Sequence, residues 1–344
     1  MRRDPYKLFE HLGCAGRDFL GVQYPILGGA MSWISLSPLV SAISNAGGFG
    51  VLAGGNMPPE LLEKEILTTR EKTDKPFGLN MVTIAPNFQE HLEVALGMNF
   101  PFLIFAGGLP PRDAIARVRK TSSRLLCFAP TVGIARTLVK SGVDALIIEG
   151  SEAGGHIGPV STSVLAEQIL PKIKEVPVFV AGGIGNGILM VHYLMMGAAG
   201  VQLGTRFAAA AESPAHPDFK KALIKATSKD ALPTAQFDPR LPVIPVRALV
   251  NEGTRDFNTL QLGLLAQIQR GAMDVREAAF KLEEFWLGAL RRAAVEGDVM
   301  RGSVMAGQSV ALVRSVQPVE RIIRDLVEDG TTELERILKV CSEP

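Results

Sequence analysis

Eight short apolar runs, recurring along the first two-thirds of the chain, constrain the fold more than any other feature. They lie at 25–31, 50–53, 76–83, 102–105, 125–129, 145–149, 176–181 and 200–204. Runs this apolar suit the strands of a parallel sheet buried on both faces. The stretches between them, among them 59–72, 112–119, 134–141, 164–174 and 188–196, carry helical spacing instead. Eight strand–helix units without a reversal favour an α/β fold of the closed (β/α)8 type, a TIM barrel.

The texture changes after Arg206. Pro214, Pro217, Pro233, Pro239, Pro242 and Pro245 exclude another regular barrel unit there. The segment 259–296 reads as helix, with Phe280, Phe285, Trp286 and Leu290 at apolar positions, and 319–340 reads as a charged amphipathic helix. The expected organisation is a barrel built from 1–210 with 300–344. A smaller, mostly helical substrate-covering domain at 211–299 is inserted after the last strand.

Composition narrows the function classes. Among 344 residues the formal charge is +1 with no long charged run, so no polyanion partner is implied. A hydrophobic content of 47% excludes disorder. Cys14, Cys127 and Cys341 are odd in number, far apart and without metal-ligand spacing, as in a reducing compartment. Residues 1–7 are charged and lead into no apolar signal core, and no window reads as a membrane span. The expectation is a cytoplasmic protein acting on a small molecule, without nucleic acid, membrane or metal, and with a homodimer left open.

In a parallel barrel the functional groups gather at the C-terminal strand ends. Most of those ends carry glycines here: Gly28-Gly29, Gly54-Gly55-Asn56, Gly107-Gly108, Gly154-Gly155, Gly182-Gly183 and Gly204. The last two loops, Ala181-Gly182-Gly183-Ile184-Gly185-Asn186 and Gly204-Thr205-Arg206, stand where barrels bind phosphate, with free N–H groups at a helix start. Neither a Walker loop nor Gly-x-Gly-x-x-Gly spacing is present, which points to a mononucleotide or sugar phosphate.

His156 follows the glycine pair after strand six and is the candidate general base or acid. His11, His91, His192 and His216 read as structural. Asn80, ending strand three, offers both a donor and an acceptor to a ring bearing carbonyl and N–H groups. Met31 and Trp33 offer an apolar wall for a flat ring. No Gly-x-Ser-x-Gly elbow and no second metal ligand accompany His156, which weighs against a hydrolase or a metal centre.

Together these segments resemble the FMN-dependent barrel family of nitronate monooxygenases (2-nitropropane dioxygenases) and flavin-type enoyl-acyl-carrier-protein reductases. The likeness runs through 24–33, 45–50, 75–80, Glu149-Gly150-Ser151-Glu152-Ala153-Gly154-Gly155-His156, 181–184, 204–207 and Gly302-Ser303-Val304-Met305-Ala306-Gly307-Gln308, in the family's order. It implies an FMN whose phosphate is held by the backbone at Gly182, Gly183, Gly204 and Thr205. Ala30, Met31 and Asn80 would lie by the ring, with Glu149 near the ring or ribityl chain and Gly155 and Gln308 completing the cofactor site. Met31, Trp33, Ser303 and Met305 would line the substrate pocket, and His156 takes the place of the family's active-site histidine. One departure stands out: the usual Gln-Gly-Gly-Met is Gly28-Gly29-Ala30-Met31 here.

The resemblance leaves two reactions open. The preferred one oxidises alkyl nitronates or nitroalkanes with O2 to carbonyl compounds and nitrite. The other reduces trans-2-enoyl thioesters on an acyl carrier with NAD(P)H, for which Arg240, Arg247 and Arg255 are candidates for a basic patch. A non-redox enzyme acting on a phosphorylated metabolite is a distant third, since no lysine stands at a strand end.

Overall fold

The computed structural model describes residues 4–342 apart from 56, 242 and 243. Asn56, Pro242 and residues 1–3 of the sequence analysis therefore lie outside the described residues. All eight apolar runs form strands: β1 (Ile26–Gly28), β2 (Gly50–Ala53), β3 (Phe77–Val82), β4 (Phe102–Ala106), β5 (Arg124–Phe128), β6 (Ala145–Glu149), then, past a two-residue strand β7 (Gly155–His156), β8 (Val178–Ala181) and β9 (Gly200–Leu203). The parallel sheet has the order β1-β9-β8-β6-β5-β4-β3-β2. A parallel bridge from Leu27 to Phe49 closes the ring. The chain folds as a TIM barrel.

Strand alternation divides the core in two. Leu27, Val51, Ile104, Leu126, Ile147 and Phe179 meet inside the barrel. Their neighbours Ile26, Leu52, Leu103, Leu125, Leu146, Ile148, Val180 and Val201 face the helices. At the N-terminal end, the rings of Phe19, Phe49, Phe102 and Phe179 pack with centroids 5.1 to 6.2 Å apart and plug the barrel. A cavity of 270 Å³ beside this plug, lined by Phe19, Pro76, Phe102 and Arg124, lies at the end opposite the candidate site.

The C-terminal helix, Val319–Val340, falls where its amphipathic pattern predicts, and packs on helix Gly187–Met195. A Cβ on Gly187 would come within 1.9 Å of the Leu326 carbonyl oxygen, so glycine is required at this crossing. Beside it, the Glu333 carboxylate accepts from both arms of Arg336 at 2.7 Å and lies 3.0 Å from His192 Nε2. The Arg336 fork, followed by His192, holds the Glu333 carboxyl down at about 2. A depressed carboxyl stabilises the fold above its unfolded value and loses that contribution as pH falls through the folded one. Thermal melts should therefore show Glu333→Gln below wild type at pH 7, with the gap narrowing between pH 4.5 and 2.

Residues 211–299 are mostly helical, but they differ in detail from the expectation. The single helix expected at 259–296 is two, Glu252–Gln269 and Val275–Ala294. Gly271 (φ 68°) breaks the run, and Asp274 caps the second helix by accepting from the N–H groups of Arg276 and Glu277. Two strands, β10 (Ala231–Pro233) and β11 (Val246–Leu249), join β7 in an antiparallel sheet of order β10-β11-β7. Pro233 is tolerated because β10 is an edge strand, where a missing N–H breaks no ladder. This segment has an apolar cluster of its own, including Leu241, Phe257, Leu264, Leu282 and Trp286. Its sheet nevertheless incorporates part of a barrel loop. No helix among the described residues is long and apolar enough to cross a membrane.

Candidate functional site

The alternation that builds the barrel also sets its upper layer. Asn80, Glu149 and Gln202 occupy inward positions at the C-terminal ends of β3, β6 and β9. Asn80 and Gln202 are buried and Glu149 partly so. Neither Glu149 nor Gln202 has a side-chain hydrogen bond to any described residue, and Asn80 makes only a 3.5 Å contact to the Ile104 carbonyl. Their unpaired polar atoms are not sealed off by the protein, so they stand open to a ligand at the barrel mouth. Burial pushes the Glu149 carboxyl up to about 8, so that it is mostly a neutral donor at pH 7. The sequence analysis missed Gln202, although its signal was present: a polar residue in the inward register of an apolar strand.

Around this layer lies a backbone cradle. Gly182 and Gly183 adopt φ of 96° and 76°, and a Cβ on Gly183 would stand 3.0 Å from Glu152 Cβ. The N–H groups of Gly182, Gly183, Gly204 and Thr205 bond to no described residue. Thr205 Oγ1 accepts from Gly307 N at 2.9 Å, which leaves its proton for a further acceptor. Met31 leans over this corner, its sulfur 3.6 Å from where a Gly204 Cβ would be. Ser35 fixes the loop after β1, donating to the Gly29 carbonyl at 2.7 Å and accepting from Met31 N at 3.0 Å, while Ala30 packs on the barrel interior. These groups can hold an anion and edge a polar ring. They fit a phosphorylated, hydrogen-bonding cofactor.

The returning segment 301–308 forms a third wall. A Cβ on Gly154 would meet the Ala306 carbonyl carbon at 2.6 Å, and Gln308 N donates to the Glu152 carbonyl at 2.9 Å. Met305 bridges to Ala248 and packs on the apolar cluster of residues 211–299. The Ser303 hydroxyl is buried without a partner. Opposite, Trp33 is held at φ 66°, a strained conformation for a bulky residue, and its indole N–H is also buried and unpartnered.

Strand pairing holds the loop bearing His156. Gly155 (φ 82°) pairs with Arg247, and His156 with Val246. The buried Arg247 guanidinium donates from Nε to the Ser151 carbonyl at 2.9 Å and from Nη1 to the Ala231 carbonyl at 2.5 Å. The His156 imidazole, 44% exposed, has Glu283 Oε2 3.2 Å from its Nε2. The three candidate arginines form no shared basic patch. Arg247 is spent on backbone carbonyls, Arg240 forks onto Asp238, and of the three only Arg255 is exposed without an acidic partner among the described residues.

Residues 15–329 match the family model described as nitronate monooxygenase. The chain belongs to the nitronate monooxygenase family. It is thus an oxidoreductase for which the family implies a flavin. FabK of Thermotoga maritima is 34% identical, with a TM-score of 0.84 over 94% of this chain and 98% of its own. A nitronate monooxygenase of Paraburkholderia phytofirmans is 28% identical over 94% of both chains. A Mycobacterium tuberculosis protein, (3aS,4S,5R,7aS)-5-hydroxy-7a-methyl-1-oxo-octahydro-1H-indene-4-carboxyl-CoA dehydrogenase, is 27% identical over 92% of this chain and 96% of its own. The relatives of this chain thus include one named as a carboxyl-CoA dehydrogenase, and the fold alone does not choose among these substrates. Among the described residues no group of three or more His, Cys, Asp or Glu side chains is arranged to hold a metal.

Proposed function

We propose that the protein is an FMN-dependent oxidoreductase of the nitronate monooxygenase type, converting alkyl nitronates or nitroalkanes with O2 to carbonyl compounds and nitrite. The observation that carries this reading is the unpaired inward layer of Asn80, Glu149 and Gln202 beside a cradle of unbonded N–H groups. Gly182, Gly183, Gly204 and Thr205 would hold the FMN phosphate. Asn80, Glu149, Gln202 and the Ala30-Met31 backbone would meet the polar edge of its ring, with Gly155 and Gln308 completing the enclosure. Bound FMN supplies the electron acceptor. His156 anchors the anionic nitro oxygens of a nitronate, or takes the α-proton when a neutral nitroalkane is offered. Trp33, Met31, Met305 and Ser303 bound the substrate space, and residues 211–299 cover it.

Enoyl-thioester reduction is the second reading, favoured by the 34% identity to FabK. The dismantled arginine patch counts against an acyl-carrier substrate. Anaerobic mixing of the FMN-loaded protein separates the two. Bleaching by ethyl nitronate without a nicotinamide is expected; bleaching by NADH or NADPH followed by recolouring with a crotonyl thioester selects the reductase. A purified protein that is colourless and takes up no FMN defeats both.

A further inference from the structure

Helix Val275–Ala294 lies across the mouth of the barrel and touches two of its strand-end loops. Glu283 brings its Oε2 to 3.2 Å from His156 Nε2, in the loop after β6. Eight residues on, a little over two turns and about 12 Å further along the axis, the Arg291 guanidinium lies 5.9 Å from the centre of the Trp33 ring, after β1. The helix is seated from below: Ser303 N donates to the Ala289 carbonyl at 2.8 Å, and a Cβ on Gly302 would stand 2.5 Å from Ala293 N. The position of Glu283 is thereby tied to the segment that also walls the site.

We propose that Glu283 is the positioning residue for His156. A carboxylate this close to Nε2 favours the tautomer that carries its proton there. Nδ1, which has no partner among the described residues, then bears the lone pair. Under the nitroalkane reading, on which this inference rests, Nδ1 takes the proton from the carbon bearing the nitro group. The C–H electron pair stays on the substrate as the nitronate. The imidazolium so formed keeps its Nε2–H toward the Glu283 carboxylate and later passes the Nδ1 proton to water. A substrate that arrives already as the nitronate has no need of this step.

Two measurements test the assignment. The first uses no substrate: two-dimensional ¹⁵N–¹H spectra of the protein labelled at its five histidines. They should show His156 with its proton on Nε2 in the wild type and a mixture of tautomers in Glu283→Gln. The second compares turnover. Glu283→Gln and Glu283→Ala should lower kcat on nitroethane about 10- to 100-fold, change it less than about threefold on ethyl nitronate, and leave the flavin absorbance intact. Identical tautomer populations in wild type and Glu283→Gln overturn the proposal, as does an equal fall on both substrates. A wild type inert to both, with the tautomer shift present, would retire the nitroalkane reading and leave the positioning role standing.

Discussion

Replacing His156 by alanine leaves the flavin spectrum in place and lowers turnover on a neutral nitroalkane by about 10² to 10⁴, the range typical of a positioned acid–base group. The expectation rests on how little else the imidazole does. It is 44% exposed and has Glu283 as its one polar side-chain partner among the described residues, so its removal orphans no buried donor. β7 is held through the pairing of Gly155 and His156 with Arg247 and Val246, which needs only backbone at position 156. Stopped-flow reduction and the visible spectrum measure the two quantities separately. If flavin is lost together with activity, the imidazole is a cofactor-binding group; if turnover is unchanged, the acid–base assignment falls.

How much of this was legible in the sequence follows from the range of the interactions involved. The barrel could be read because each strand declares itself locally: an apolar run, a glycine at its end, a helix after it. The C-terminal helix could be read for the same reason. The cover could not. β10 and β11 are short and proline-flanked; they pair with each other, and β11 also pairs with β7, about ninety residues upstream. Trp33's left-handed backbone leaves no sequence signature, since nothing in its side chain favours that conformation. Glu283 is one carboxylate among several on a surface helix, and only the seating of that helix singles it out. Gln202 is the instructive omission. Counting parity along β9 from Val201 and Leu203, both directed at the helices, places it inside the barrel.

Glu149→Gln should stabilise the flavin-free protein, and increasingly so as pH rises. A carboxyl raised by burial from 4.5 to about 8 means that the folded state binds a proton more tightly than the unfolded chain. Stability then falls as pH rises from the unfolded value to the folded one, and levels off above it. The displacement corresponds to at most about 5 kcal/mol, approached only above pH 8. The glutamine variant has no charge to bury, so its melting temperature should match wild type near pH 5 and exceed it by several degrees at pH 9. A gap that stays constant across that range would show that the carboxyl is not suppressed by its surroundings. The same variant separates charge from hydrogen bonding in cofactor capture. Glutamine retains an N–H donor, so FMN affinity at pH 7 should change less than about threefold, whereas Glu149→Leu, which removes the donor, should weaken it about tenfold. If leucine binds FMN as tightly as wild type, Glu149 does not face the cofactor, and the inward polar layer must be satisfied by substrate instead.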